Sequence, residues 1–194
     1  EQGVRATAIA LHVVFAAYGF MGMLAFGLSY IVVPMFALSG APAERPAWVS
    51  FALAVLALLL AGIAALGVAP ELLRSMAIAA GFLAVAVHLR LMAIALKTGM
   101  RRHLGRSFML VRIAWAALVA SLVVALAVVH DAPVDGIATQ FGLALIGGWL
   151  LTFALAILQR IVPFLASMHA APAKTGGRSL PPTPSALTAE RPLA

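Results

Sequence analysis

Residues 12–36 read HVVFAAYGFMGMLAFGLSYIVVPMF, a stretch with one histidine at its start, a proline near its end and no Asp, Glu, Lys or Arg. Crossing a bilayer takes about 20 consecutive apolar residues, so this stretch is long enough to span a membrane as a helix. It does not alternate polar and apolar residues, which argues against a strand of a membrane barrel. The segment therefore predicts a transmembrane helix.

Four more stretches of the same kind follow, and 64% of the 194 residues are hydrophobic while only 10% are charged. A water-soluble chain of this size could not bury so much apolar side chain. We therefore predict an all-α integral membrane bundle of about five transmembrane helices, surrounded by the lipid bilayer. The predicted spans are about Ala8–Phe36, Ala47–Ala69, Leu72–Leu96, Phe108–Val129 and Ile137–Ala166.

The composition changes near residue 170, where proline, glycine, serine and threonine replace the large apolar residues. Such a segment buries too little surface to offset the entropy lost on ordering. We expect residues 1–169 to form the five-helix transmembrane domain and residues 170–194 to form a disordered cytoplasmic tail.

The basic residues predict the orientation of the chain. Threading the chain through five helices places eleven of the thirteen Lys and Arg residues on one side, and only Arg5 and Arg74 on the other. The positive-inside rule then predicts an outside N-terminus and a cytoplasmic C-terminus in a bacterial-type inner membrane. This orientation is explained if an odd number of upstream helices is missing, which is a hypothesis.

Because the basic residues cluster at helix ends, the net charge of +7 does not indicate nucleic-acid binding.

An internal repeat links the first and last spans when the chain is shifted by 129 residues. In both copies a glycine and an aromatic residue are followed, fourteen residues after the glycine, by Val-Pro. Duplication within a membrane bundle commonly frames a binding site, although Leu, Ala and Gly also recur by chance in membrane helices. The matching pairs are Gly19 with Gly148, Phe20 with Trp149, Ala25 with Ala154, Val33 with Val162 and Pro34 with Pro163.

The ionisable residues narrow the possible chemistry. The chain has no cysteine, which excludes thiolate metal sites and iron–sulfur clusters. No Asp or Glu lies inside a predicted span, which disfavours an ion-coupled transporter. His88 lies deep in the third span, where it serves either helix packing or ligand binding. His130 ends the fourth span, as an interfacial cap or a ligand.

His12 begins a strip of mostly small residues. At 100° per residue Tyr30 returns to the azimuth of His12, and Gly19, Met23 and Gly27 fall near it. Such a strip admits either a neighbouring helix in close contact or a porphyrin whose iron is bound by the histidine. The helix geometry alone does not distinguish between a neighbouring helix and a porphyrin.

The stretch from His12 to Phe36, with its Gly-Phe pair, Gly22, Ser29-Tyr30 and Val33-Pro34, resembles a histidine-bearing helix of the heme-copper oxidase subunit I superfamily, including NnrS-like membrane proteins. The resemblance covers the first span well, the last span partly and the middle spans hardly at all. It implies a helical bundle with b-type heme whose axial ligand is His12. His130, on the same side as His12, is the expected second metal ligand, and Gly19, Tyr30 and His88 are the other candidate cofactor contacts.

The chain departs from the family pattern in two ways. The stretch near Thr139 and Phe141 has no histidine, so no His-x-His pair is available to bind two hemes. Nothing resembles the three-histidine copper site, so we expect no oxygen reductase activity. We predict a membrane subunit that binds heme b for respiratory electron transfer or for heme and nitric-oxide handling, together with other membrane subunits. The alternatives are a hemeless structural subunit of a larger complex and a small transporter.

Overall fold

The computed structural model of the protein describes residues 2–100, 104–130 and 132–170. The tail predicted for residues 170–194 lies outside these residues, apart from Ala170, which ends the last helix. The described residues form helices joined by short connections, with no strand among them, and five of the helices are long and apolar enough to cross a membrane. The prediction of an all-α membrane bundle is therefore confirmed.

The three middle helices are regular α-helices. Helix α2 ends earlier than predicted, because Gly67 has a φ of +89° and Ala69 a φ of +37°, so the backbone turns sharply before Pro70 starts α3. The helices α2, α3 and α4 comprise Glu44–Ala65, Pro70–Thr98 and Gly105–Val129.

The first and last helices each contain a π-helical segment in the middle. Helix α1 consists of α-helical Gln2–His12, π-helical Val13–Gly22 and α-helical Met23–Ala37. Helix α5 repeats this order with Ile137–Gly142, π-helical Leu143–Leu151 and Thr152–Ala170.

The two π-helical segments lie at equivalent places in the internal repeat. The shift of 129 residues moves 13–22 onto 142–151, which differs by one residue at one end from Leu143–Leu151. Pro34 and Pro163, another matched pair, both lie inside the α-helical segment that follows. Because π-helices are rare, their coincidence under the same shift supports a duplication of α1 and α5.

The bundle has two ends, which we call the N end and the C end. The N end carries the start of α1 and the connections between α2 and α3 and between α4 and α5. The C end carries the connections between α1 and α2 and between α3 and α4, which are joined by a hydrogen bond from the Met100 N–H to the Leu38 carbonyl at 3.4 Å.

Close contacts across small residues hold α5 against its neighbours. A Cβ added at Gly22 would lie 2.9 Å from the Cη2 atom of Trp149, and one added at Gly148 would lie 2.9 Å from the Cβ of Ala117. Trp149 is only 2% exposed. Since lipid is as apolar as the side chains, membrane helices associate largely through such close packing. These glycines therefore fix the positions of α1, α4 and α5 relative to one another.

A cationic side chain joins three helices near the C end. The Arg160 Nε–H of α5 donates a hydrogen bond to the Ser107 hydroxyl of α4 at 2.5 Å. Its guanidinium carbon lies 5.6 Å from the ring centroid of Phe36 and 5.3 Å from that of Phe108. These contacts stabilise the charge of Arg160 within the protein.

Two adjacent glycines of α5 provide a matched test of this packing. Replacing Gly148 with alanine forces α4 and α5 apart, so we expect the free energy of unfolding to fall by about 1 to 3 kcal/mol. Gly147 has nothing within 4 Å of an added Cβ, and Gly147→Ala should be neutral or slightly stabilising. Thermal unfolding in detergent, followed by tryptophan fluorescence, measures both variants. Equal effects at the two positions would contradict the close approach of α4 and α5.

Candidate functional site

His12 and His130, the expected metal ligands, both lie exposed toward the N end. His12 ends the first segment of α1, and His130 directly follows α4. Neither histidine is among the residues that line the two cavities of the bundle, which have volumes of about 410 and 550 Å³. The described residues also contain no group of three or more His, Cys, Asp or Glu side chains that could hold a metal ion. Heme ligation by His12 and His130 stays a prediction, and any heme at His12 would need a second protein surface to cover it.

The strip expected below His12 is not continuous. A turn of π-helix, with its i→i+5 hydrogen bonds, contains more residues than a turn of α-helix, so the rotation per residue is less than 100°. Residues after the π-helical segment therefore lie on a different face of the helix from the one that a uniform α-helix predicts. Gly19 is buried, and a Cβ added there would lie 3.7 Å from Leu58 of α2. At Gly19 the structure therefore favours helix packing. Tyr30 does not share the exposed face of α1 on which His12 lies, and its ring packs beside buried His88.

His88 is the most deeply buried ionisable side chain that the structure describes. It is 0% exposed, and neither ring nitrogen has a hydrogen-bond partner among the residues that the structure describes. Its ring stacks on Phe26, with centroids 4.0 Å apart and an interplanar angle of 8°. Tyr30 and Trp115 approach it edge-on, with centroid distances of 5.1 and 6.2 Å. These rings leave no space for a porphyrin beside His88 unless Phe26 moves.

The hydroxyl of Tyr30 is also buried, and the Ser50 hydroxyl lies close enough to interact with it, without meeting the geometry of a hydrogen bond. Buried polar groups in native proteins nearly always make a hydrogen bond to protein, water or ligand. Tyr30 and His88 thus form a small polar cluster inside the bundle, in which both ring nitrogens of His88 have no partner among the described residues. Of the expected site residues, these two are the pair that the structure brings into contact.

A large apolar cavity occupies the N-end half of the bundle. Its volume is about 410 Å³, and all five helices contribute to its wall. Along α3 it extends from Arg74 to Val85, which corresponds to about 16 Å at 1.5 Å per residue. Many of the lining residues are alanine or glycine, and Phe26 separates the cavity from His88. We call this space the N-end cavity.

Two polar side chains line the cavity, and one of them is hydrogen-bonded to a neighbouring helix whereas the other lies exposed at the helix end. The Tyr18 hydroxyl donates a hydrogen bond to the Ser121 hydroxyl at 3.1 Å, and Ser121 donates to the Leu118 carbonyl at 2.7 Å. This chain leaves the Tyr18 oxygen able to accept a further hydrogen bond. Arg74 lies exposed in the first turns of α3, and no described acidic residue pairs with it.

Aromatic rings line the same space. Tyr18 packs against Trp149 and Phe141, with ring centroids 5.7 and 6.4 Å apart. Both partners lie on α5, so the repeat-related helices meet at the cavity wall. A flat or elongated apolar molecule could fit beside these rings.

No protein family model, curated protein or solved structure matches this chain. The relationship to heme-copper oxidase subunit I therefore stays a resemblance that rests on the first span.

Sequence reasoning missed the residues of the N-end cavity. Tyr18 and Trp149 were not expected as site residues, because the sequence predicts uniform α-helices for α1 and α5. Arg74 served only to predict the orientation of the chain, as a basic residue at a helix end. The available signal was the internal repeat, since Trp149 belongs to one of its matched pairs. The sequence offered no direct sign of the π-helical segments.

Replacing His88 tests whether its imidazole has an unseen partner. Each unpaired buried polar atom costs about 1 to 3 kcal/mol, whereas the stacking on Phe26 contributes only about 0.5 to 1.5 kcal/mol. We therefore expect His88→Leu to raise the free energy of unfolding by at least about 1 kcal/mol. Met92→Leu is the matched control, because Met92 is also 0% exposed and lies one turn further along α3. Unfolding in detergent measures both variants. A larger loss for His88→Leu than for Met92→Leu would show that the imidazole binds something.

Proposed function

We propose that this protein is a multi-pass membrane subunit that binds a lipid-soluble carboxylate in the N-end cavity. The apolar body of the ligand lies between the helices, and its carboxylate lies at Arg74. The observation that carries this proposal is the cavity itself, about 410 Å³ in volume, with a cationic side chain at one end that pairs with none of the described acidic residues.

The apolar wall alone provides little selectivity. Lipid tails are as apolar as the lining, so moving a ligand from lipid into the cavity gains no hydrophobic free energy. Selectivity must come from shape and from the few polar contacts. The small residues allow a bulky ring or a folded chain to fit, and Tyr18 offers one hydrogen-bonding oxygen inside the wall.

Arg74 supports a carboxylate as the polar group. Guanidinium binds carboxylate through two parallel N–H···O bonds, a geometry that a lysine does not provide. The position of Arg74 in the first turns of α3 places this contact at the membrane surface, where a ligand's charged group stays hydrated. Its apolar body then extends toward Phe26 in the interior.

The second candidate is the one that the resemblance implies, a heme b subunit for respiratory electron transfer or for heme and nitric-oxide handling. The observation in its favour is the unpaired imidazole of His88, separated from the cavity by one aromatic ring. Heme is itself an apolar ring bearing two carboxylates. His12 supports this function only together with other membrane subunits, because it is exposed.

The orientation belongs to the same proposal. An outside N-terminus in a bacterial-type inner membrane places the N-end cavity and Arg74 toward the external side. The described acidic residues Glu44, Glu71 and Asp135 all lie at helix ends or in connections, which gives an ion-coupled transporter no support.

Binding of two probes by the purified full chain in phosphatidylcholine nanodiscs tests the proposal. The probes are a fluorescent long-chain fatty acid and hemin. Ala61→Phe fills the cavity, whereas Ala52→Phe adds the same bulk on the exposed side of α2. We expect the first to weaken fatty-acid binding at least tenfold and the second to leave it unchanged. Arg74→Gln should weaken binding about fivefold, and Arg5→Gln, also exposed toward the N end, should not.

The same preparations separate the alternatives. Fatty-acid binding that Ala61→Phe and Ala52→Phe leave equally strong contradicts the cavity proposal. Hemin binding with a Soret band that disappears in His88→Leu but persists in Met92→Leu favours the heme subunit. A colourless protein that binds neither probe and copurifies with other chains supports the hemeless structural subunit.

A further inference from the structure

A second cavity lies between α3 and α4, toward the C end and away from the N-end cavity. Its volume is about 550 Å³, and it is open on one side. Its wall is apolar apart from Lys97 and Arg112, and Trp115 lies beside them. We call it the α3–α4 groove.

Arg112 is a charged residue inside one of the membrane-spanning helices. It is the eighth residue of α4, about 10 Å from the start of the helix at 1.5 Å per residue. Its side chain is exposed, and none of the described residues forms an ion pair or hydrogen bond with it. A charged side chain at this depth is costly unless it finds a counter-charge or reaches the membrane surface.

The two cations can reach a shared anion. Lys97 lies one residue before the end of α3, so it marks the surface end of the groove. Side chains of an α-helix tilt toward its N-terminus, which for α4 lies at this same end, so the long side chain of Arg112 can reach toward Lys97. No acidic residue lines the groove. The wall from Lys97 back to Leu89 then offers about 12 Å of apolar surface, by eight residues at 1.5 Å each.

We propose that the α3–α4 groove binds one anionic phospholipid. The phosphate lies between Lys97 and Arg112, and one acyl chain lies along Leu89, Ala93 and Val119. A basic pocket between membrane helices near the surface is the arrangement that recognises anionic lipid headgroups. The lipid phosphate supplies the counter-charge that no described residue provides for Arg112. The site is independent of the ligand in the N-end cavity.

Quenching of Trp115 fluorescence by brominated lipids tests this site in the full chain. The protein is placed in nanodiscs with increasing fractions of brominated phosphatidylglycerol or, separately, brominated phosphatidylcholine. The chain has three tryptophans, so the difference between the natural protein and Trp115→Phe isolates the signal of Trp115. We expect half-maximal quenching at a lipid fraction at least about tenfold lower for phosphatidylglycerol than for phosphatidylcholine.

Substitutions distinguish a built site from general attraction to a negative surface. Arg112→Gln should raise the required phosphatidylglycerol fraction about fivefold. Arg45→Gln is the matched control, because Arg45 is exposed in the first turn of α2 at the same end of the bundle, and it should have no such effect. Lys97→Gln is the second test variant and covers the case in which Arg112→Gln does not fold.

Three results would overturn the proposal. The first is equal quenching by the two lipids. The second is an equal effect of Arg45→Gln and the groove variants, which indicates surface charge alone. The third is relief of quenching by excess inorganic phosphate, which indicates a site for the free anion instead of a lipid.

Discussion

The contact of Trp149 with the backbone of Gly22 is the constraint on which the rest of the structure depends. It brings the repeat-related helices α1 and α5 so close that a single Cβ at Gly22 would lie 2.9 Å from the indole. The same approach holds Tyr18 against Trp149 and beside Ser121 of α4. Small residues also line the N-end cavity, where no large side chain fills the space between the helices. Glycine and alanine therefore account both for the close helix contacts and for the open cavity.

The sequence predicts the membrane helices correctly, but it does not predict which residues come together at the candidate site. Continuous apolar runs of more than 20 residues predict membrane helices because the bilayer core has a fixed thickness. The face of the helix on which a residue lies depends on the rotation per residue. The π-helical segment Val13–Gly22 changes this rotation. Hence Tyr30 meets His88 while His12 stays exposed, although an ideal α-helix aligns Tyr30 with His12. Gly19, expected beneath a porphyrin, packs on Leu58.

Three arginines illustrate how one residue type serves different roles in a membrane bundle. Arg160 is stabilised inside the protein by Ser107 and two phenylalanine rings, so it joins helices. Arg74 and Arg112 have no such partners among the described residues, and each lines an apolar cavity. A charge that the protein does not pair must be paired by water or by a ligand. This contrast explains why both proposed sites are assigned to amphipathic anions.

The most direct measurement is a cryo-electron microscopy map of the intact protein in lipid nanodiscs at a resolution that separates side chains. The account predicts density in the N-end cavity that is not continuous with any polypeptide and extends from Arg74 toward Phe26. A helix of this protein or of a partner filling the space between α1, α2 and α4 would contradict it. In that case the cavity is a docking groove, and the small residues that line it serve helix packing alone.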